Sequence, residues 1–184
     1  MENSKKSAFR SGFVTLIGRP NAGKSTLVNQ LVGEKVAIIS DKPQTTRNTI
    51  RGIYTDEKMQ VVLLDTPGVH KPKFKLGQRM MESVRSALAG CDIILYLVDA
   101  GERFGAGEEY IISMLEKTAA DIPVYLILNK IDLLKKDQLL PLIAFYAEKY
   151  DFAEVVPVSA FTGENKKDLL DALYRKLPEG PRYY

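Results

Sequence analysis

The chain has 184 residues, with 26 Lys and Arg against 23 Asp and Glu, for a formal net charge of +3. This length suits one domain with a sizeable core, and the charge balance neither requires nor excludes an RNA or membrane-surface partner. A single cysteine excludes an internal disulfide, and apolar runs of roughly six or seven residues exclude a membrane-spanning helix. No apolar stretch typical of a secretory signal follows Met1. We therefore expect a soluble cytoplasmic protein.

Strand-like and helical patterns alternate along the chain almost to its end. The predicted strands cover residues 12–17, 50–54, 59–65, 93–99, 124–129 and 155–159. The predicted helices cover residues 24–32, 77–89, 108–119, 136–150 and 166–176. This alternation predicts a three-layer α/β domain, in which a six-stranded, mostly parallel sheet has helices on both faces. The connection 55–58 is short enough for a hairpin, which makes the second strand an antiparallel edge strand.

Three segments are predicted along the chain. Residues 1–11 form a flexible N-terminus, residues 12–177 form the α/β domain, and residues 178–184 begin a linker. The linker assignment rests on two prolines and a glycine that follow the last predicted helix. A frayed terminus remains the alternative interpretation of the same composition.

A glycine-rich turn joins the first predicted strand to the first predicted helix. Its sequence fits G-x-x-x-x-G-K-[ST] at every required position, at the strand-to-helix junction where this motif binds phosphate. Backbone N–H groups of such a turn surround phosphate oxygens at the positive end of the helix. The expected phosphate-binding residues are Gly18, Arg19, Pro20, Asn21, Ala22, Gly23, Lys24, Ser25 and Thr26. The motif predicts a P-loop NTPase fold that binds a nucleoside di- or triphosphate.

The motif Asp65-Thr66-Pro67-Gly68 begins at the end of the third predicted strand. The Asp65 carboxylate can orient the water shell of a Mg²⁺ ion, and the N–H of Gly68 can reach a γ-phosphate. A D-x-x-G string has little specificity alone. The string is informative here because it follows a phosphate-binding turn along the chain.

The motif N-K-I-D begins at the end of the fifth predicted strand. One carboxylate can accept hydrogen bonds from both N1–H and N2–H of guanine, whereas adenine presents a lone pair at N1, so Asp132 predicts a guanine nucleotide. Asn129 can hold the base and brace the phosphate-binding turn, and the stem of Lys130 can cover a face of the base. After the last strand, Ser159 and Ala160 can supply a backbone N–H to guanine O6.

Five motifs in order, G-R-P-N-A-G-K-S, P-Q-T-T-R, D-T-P-G, N-K-I-D and S-A-F-T-G, resemble the G motifs of the translation-factor-like GTPases. The combination of P-Q-T-T-R with D-T-P-G-V-H-K-P is more specific than any single motif. Over residues 12–181 the chain resembles the Era-type GTPases of the TrmE-Era-EngA-like branch. The resemblance implies a Ras-like G domain that hydrolyses GTP to GDP and phosphate with Mg²⁺. It adds Phe161 to the residues expected at the nucleotide.

The same resemblance implies roles for individual side chains. Lys24 would contact the β- and γ-phosphates as a catalytic group. Ser25 and Asp65 would hold Mg²⁺ together with Thr46, the second threonine of P-Q-T-T-R, which would join them when GTP is bound. Thr45 remains the competing choice for that threonine.

Residues 33–49 and 66–75 would form two switch segments, which the γ-phosphate orders and hydrolysis releases. Gly68 would belong to the catalytic groups through its N–H at the γ-phosphate. Val69 occupies the position where Ras-like enzymes carry a water-orienting glutamine, so we expect slow intrinsic turnover. Two roles stay open for Asn21: a ligand of a catalytic K⁺ ion placed where an arginine finger would act, or a turn residue.

The resemblance also implies partners. Era-type proteins carry a C-terminal KH domain that binds the 3′ end of small-subunit ribosomal RNA, and no G-X-X-G clamp loop follows the GTPase motifs in these residues. We expect the full-length protein to act on the 30S subunit and 16S rRNA in ribosome assembly, with the isolated domain monomeric. Lys71, Lys73 and Lys75 leave contact with RNA or with the inner face of the cell membrane open.

Two other functions stay open at this point. In one, the domain is a binding module in which GTP occupancy matters rather than turnover, which the apolar Val69 permits. In the other, it is an ATP-dependent enzyme such as a kinase. Asp132 and the lack of an obvious acceptor-substrate site both argue against the second.

Overall fold

The computed structural model describes residues 8–33, 49–65 and 78–184. The strands are β1 (Arg10–Gly18), β2 (Thr49–Thr55), β3 (Met59–Asp65), β4 (Ile93–Asp99), β5 (Val124–Asn129) and β6 (Glu154–Pro157). The helices are α1 (Lys24–Val32), α2 (Gln78–Leu88), α3 (Ala106–Thr118), α4 (Leu139–Ala147) and α5 (Lys166–Lys176). The sheet order is β2-β3-β1-β4-β5-β6, and among these six described strands only the β2–β3 pairing is antiparallel. The predicted fold class is confirmed.

The central strands face two separate cores because successive side chains of a strand point to opposite faces. On one face, Leu95 and Leu97 of β4 pack with α1 and α5, and on the other, Ile94 and Tyr96 pack with α2, α3 and α4. Burial on both faces explains why these strands are continuous apolar runs in the sequence. Across the part of the chain that the structure describes, no helix has the length and apolar composition that a bilayer crossing requires.

The parallel register brings the carboxyl ends of β1, β4 and β5 together at one edge of the sheet. Gly18 lies opposite Leu97, and Asp99 lies opposite Asn129. In open α/β sheets this edge is the usual position of a ligand site, because the loops that leave neighbouring strands meet there.

The fourth helix is shorter than the sequence predicted. In place of a helix over residues 136–150, a 3₁₀ turn precedes an α-helix that begins at Leu139 and ends at Ala147. Pro141 explains the later start, since it then lies in the first turn, where its missing N–H removes no helical hydrogen bond. At the other end, the N–H of Lys149 donates to the carbonyl of Tyr146 (2.9 Å), a bond that closes the last turn in 3₁₀ geometry.

Residues 178–184, which the sequence assigned to a linker, lie against the amino end of β1. The N–H of Gly180 donates to the carbonyl of Phe9 (3.1 Å). Ser11 donates its N–H to the carbonyl of Pro178 (3.1 Å) and its hydroxyl to that of Pro181 (2.6 Å). β1 also begins at Arg10 rather than at residue 12, because its first two residues pair with β3.

The buried side chain of Gln60 holds the last two residues of this segment. Its Oε1 accepts the N–H groups of Tyr183 (2.7 Å) and Tyr184 (3.2 Å), and its Nε2 donates to the Tyr184 carbonyl (3.1 Å) and the Thr55 hydroxyl (2.9 Å). Gln60 is only 1% exposed, so these four bonds satisfy an amide that cannot reach bulk water.

Replacing Gln60 with alanine removes all four bonds. We expect Gln60→Ala to lower the free energy of unfolding by about 2 kcal/mol, because several buried neutral hydrogen bonds are lost together. The amides of Tyr183 and Tyr184 should exchange with solvent faster, while affinity at the carboxyl edge of the sheet stays unchanged. Denaturant unfolding and hydrogen exchange measure these effects, with Glu57→Ala at the exposed hairpin turn as control. Unchanged exchange at residues 183 and 184 would contradict the assignment.

Candidate functional site: a nucleotide pocket at the carboxyl edge of the sheet

The phosphate loop, residues 18–25, connects β1 to α1 and is held by hydrogen bonds to its carbonyl oxygens. Four of these oxygens accept hydrogen bonds from side-chain nitrogens. Lys24 donates to the carbonyls of Gly18 (2.8 Å) and Arg19 (3.1 Å). Lys130 donates to the carbonyl of Asn21 (2.8 Å), and Asn129 donates to that of Ala22 (2.9 Å). Because a carbonyl and the following N–H point in opposite directions across a trans peptide, the bond from Asn129 to the Ala22 carbonyl turns the N–H of Gly23 away from Asn129. The first turn of α1 adds further unpaired N–H groups, which together suit a phosphate.

Two glycines of the loop are required by its geometry. Gly23 has a φ of 99°, in the left-handed region that side chains disfavour, and a Cβ there would overlap Nδ2 of Asn129. A Cβ on Gly18 would lie 2.7 Å from the carbonyl oxygen of Leu97 in β4. The first and sixth positions of the motif are therefore glycine because neighbouring strands approach the loop closely.

Lys24 lies partly buried beside the loop. Burial lowers the pKa of its ammonium group, and the positive charge of Arg51 acts in the same direction, while the carboxylate of Asp65 opposes both. A bound phosphate would favour the charged form of the Lys24 ammonium group and offset the cost of its burial. Lys24 is therefore placed to gain stability when an anion enters the loop.

A candidate Mg²⁺ site lies next to Lys24. Ser25 and Asp65 line one cavity of about 120 Å³. Asp65 Oδ1 is buried without a hydrogen-bond partner, whereas Oδ2 accepts Nε and a terminal nitrogen of Arg51 (3.1 and 2.6 Å). Oxygen ligands of this kind suit Mg²⁺. Within the described ranges no cluster of three or more His, Cys, Asp or Glu could hold a metal.

Asp132 is the residue that the sequence predicts to recognise the base. Its Oδ1 accepts the hydroxyl of Ser159 (2.8 Å), and the same hydroxyl oxygen accepts the N–H of Thr162 (3.1 Å). The Ser159 hydroxyl therefore orients the carboxylate by Oδ1, and Oδ2 accepts no hydrogen bond from the residues that the structure describes. The sequence assigned Ser159 a backbone role, and the structure adds the orienting role of its side chain.

Asn129 connects the base side to the phosphate side. It is only 2% exposed, and besides donating to the phosphate loop it accepts the N–H of Ala160 at Oδ1 (2.9 Å). Both predicted O6 donors are therefore engaged by protein, since the N–H of Ser159 donates to the carbonyl of Glu164 (3.1 Å). The next N–H, that of Phe161, has no hydrogen-bond partner among the described residues, and its ring is 83% exposed. A base could therefore meet the Ala160 N–H, which Asn129 already accepts, and the Phe161 N–H, which has no partner among the described residues.

The ammonium group of Lys130, which follows β5, bonds to the loop after β1 and to the carboxyl end of β4. Lys130 has a left-handed φ of 65° and donates to the carbonyl of Asn21 and to Asp99 Oδ2, both at 2.8 Å. Asp99 Oδ1 in turn accepts the N–H of Gly101 (2.9 Å). The lysine stem therefore crosses the gap between the base loop and the phosphate loop.

Several predicted site residues lie outside the described residues: Thr46, Thr66, Pro67 and Gly68. Their assignments, with those of Thr45 and Val69, stay predictions. Pro20 is exposed within the phosphate loop, and Arg19 directs its guanidinium to carboxylates of α3 and the preceding loop.

Sequence reasoning missed two acidic or basic partners in the pocket. Asp99 could have been predicted from the sequence, because it ends an apolar strand at the same edge of the sheet as the recognised motifs. Arg51 carried no such signal, because it lies inside β2 and meets Asp65 only through the antiparallel pairing of β2 with β3.

Comparison with known proteins agrees with this geometry. Residues 13–130 match a family described as 50S ribosome-binding GTPase. Era in complex with MgGDPNP and nucleotides 1506–1542 of 16S ribosomal RNA is 36% identical, with a TM-score of 0.75 over 96% of this chain and 60% of that chain. A variant of Aquifex aeolicus Era bound to GDP and AlF4⁻ gives the same identity and coverage with a TM-score of 0.74. The G domain of the T. maritima FeoB iron transporter, 22% identical with a TM-score of 0.59, covers 90% of this chain and 99% of that chain and supports the fold alone.

This chain spans about 60% of the length of the two Era chains. The family match nevertheless covers more than half of the residues here, and the order of motifs, the sheet topology and the connected pocket all agree with it. The chain belongs to the P-loop GTPase family described as 50S ribosome-binding GTPases, and it is similar to Era over 96% of its residues.

Proposed function

We propose that this domain is the nucleotide switch of a cytoplasmic protein that acts in small ribosomal subunit assembly and 16S rRNA maturation. It binds GTP with Mg²⁺, hydrolyses GTP to GDP and phosphate, and changes conformation with the nucleotide. The observation that carries the proposal is a pair of hydrogen-bonded links that meet at adjacent residues: Ser159 holds Asp132, and Ala160 bonds Asn129, which in turn holds the phosphate loop. Together they join a guanine-reading carboxylate to a phosphate cradle.

Guanine selectivity follows from the free oxygen of Asp132. N1–H and N2–H of guanine are adjacent donors, and a carboxylate oriented by Ser159 can accept both. Adenine offers a lone pair at N1 and no 2-amino group, so it would leave the carboxylate unpaired and repelled. Ser159 supports this role because it holds the carboxylate by the other oxygen.

Asp132→Asn should move nucleotide preference from GTP toward XTP. The amide can donate to the 2-carbonyl of xanthine but no longer accepts two guanine donors, so GTP affinity should fall about 100-fold. Competition of GTP, XTP and ATP against a fluorescent GDP analogue measures the change. Asp137→Asn, an exposed carboxylate in the following 3₁₀ turn, is the matched control. Unaltered guanine selectivity in Asp132→Asn would show that another group reads the base.

The phosphate chemistry is assigned to groups that this chain already positions. Lys24 and the N–H groups of the loop would stabilise negative charge on the transferring phosphoryl group. Ser25 and Asp65 would hold Mg²⁺, with Thr46 as the predicted third ligand, and the ion would neutralise charge on the β- and γ-oxygens when bound. Val69 cannot orient water, so intrinsic turnover is slow in this proposal.

Asn21 is the candidate ligand for a catalytic K⁺ ion. It is exposed in the loop and has a left-handed φ of 67°, and among the described residues only its carbonyl is engaged, by Lys130. GTP hydrolysis should be faster in KCl than in NaCl at equal ionic strength, and Asn21→Ala should remove that difference. Equal wild-type rates in the two salts would leave Asn21 as a turn residue.

The choice of ribosomal subunit is open to a direct test. The family description names the 50S particle, whereas one Era structure contains a fragment of 16S rRNA. We favour the small subunit because that relative matches 96% of this chain. Single-turnover GTP hydrolysis should accelerate with purified 30S particles and not with 50S particles. Stimulation by 50S alone would contradict this choice, and stimulation by neither would favour a switch that works by GTP occupancy.

A further inference from the structure

Arg19 is the one cationic side chain of the phosphate loop that turns away from the phosphate position. Its terminal nitrogen lies 3.3 Å from Glu108 Oε1 and 3.7 Å from Glu102 Oε2. Lys24, by contrast, curls back over the loop. The sequence placed Arg19 among the nucleotide ligands, but its charge is already committed to two carboxylates.

Glu108 is an unusual partner because it is almost fully buried, with a side chain only 8% exposed. Its Oε2 accepts the N–H of Gly105 (3.1 Å) and caps α3, while Oε1 faces Arg19. On the core side lie two phenols, those of Tyr96 and Tyr146, whose pKa values burial and the nearby Glu108 carboxylate raise. A buried carboxylate in these surroundings needs a cation, and Arg19 supplies it.

The start of α3 is shaped to receive the arginine. Gly107 lies directly beneath the Arg19 side chain, and a Cβ at this position would overlap Nε and lie 2.7 Å from Cδ. Gly107 lies in the first turn of the helix, where glycine is otherwise unfavourable. Glycine therefore occupies position 107 despite its low helix propensity, because any larger residue there would displace the Arg19 guanidinium.

The backbone of Arg19 holds the catalytic lysine. Its carbonyl accepts Lys24 Nζ (3.1 Å) and the N–H of Ala22 (3.2 Å), so the position of this one peptide group sets both. We propose that Arg19 is a positioning residue: the buried Glu108 carboxylate anchors its side chain, and the anchored backbone holds the phosphate loop and Lys24 in place. The inference rests on the proposed function in that the held loop binds a guanine nucleotide.

Three variants break the anchor in different ways. Arg19→Ala removes the cation, and Glu108→Gln removes the charge while its amide oxygen still caps Gly105. Gly107→Ala displaces the guanidinium, and its higher helix propensity offsets part of the stability lost with the ion pair. Arg103→Ala is the control, since it removes an exposed arginine that makes no ion pair within the described ranges.

We expect each of the three variants to increase the GDP dissociation rate about fivefold, with Arg103→Ala unchanged. The double variant Arg19→Ala, Glu108→Gln should be no faster than either single variant, because both break one interaction. Acceleration by Arg19→Ala alone would overturn the proposal in favour of a direct phosphate contact. Lower melting temperatures for Arg19→Ala and Glu108→Gln with unchanged dissociation rates would overturn it in favour of a purely structural ion pair.

Hydrogen exchange separates this inference from the proposed function. In nucleotide-free protein the Ala22 amide, which donates to Arg19, should exchange faster in Arg19→Ala and Glu108→Gln than in the control. A wild-type domain that binds no GTP would defeat the proposed function, yet this exchange measurement would still decide whether Arg19 positions the loop. Equal exchange in all variants would reject the inference even if the wild type hydrolyses GTP.

Discussion

The pocket depends on two hydrogen bonds made by the carboxamide of Asn129. Its Nδ2 donates to the phosphate loop at Ala22 and its Oδ1 accepts the N–H of Ala160, so one buried group joins the loops that follow β1, β5 and β6. Each of these bonds satisfies a buried polar group that would cost about 1–3 kcal/mol if left unpaired. Phosphate binding and base recognition are therefore properties of a single connected structure.

The sheet makes this connection available. Parallel strands β1, β4 and β5 end at one edge, and their register places Asp99 directly opposite Asn129. Lys130 follows at once and uses both neighbours, Asp99 and the carbonyl of Asn21. Side chains from neighbouring strands hold the Asn21 and Ala22 carbonyls, so this part of the loop is preorganised before nucleotide arrives.

The sequence predicted the strands, the sheet's character and the order of the motifs, because each depends on residues close together in the chain. It did not predict the partners of Asp65 and Arg19, since Arg51 and Glu108 reach them only through strand pairing and helix packing. The length of α4 was wrong because Pro141 limits where that helix can start. The contacts of residues 178–184 were missed because their proline and glycine content is equally typical of a linker.

Amide hydrogen exchange in nucleotide-free protein tests the central claim most directly. If Asn129 ties the loops before GTP binds, the Ala160 N–H should exchange at least about 100-fold more slowly than that of its exposed neighbour Phe161, which has no partner in the described structure. Equal exchange rates for the two amides would contradict the account, because the base loop would then be tied to the phosphate loop only after nucleotide arrives.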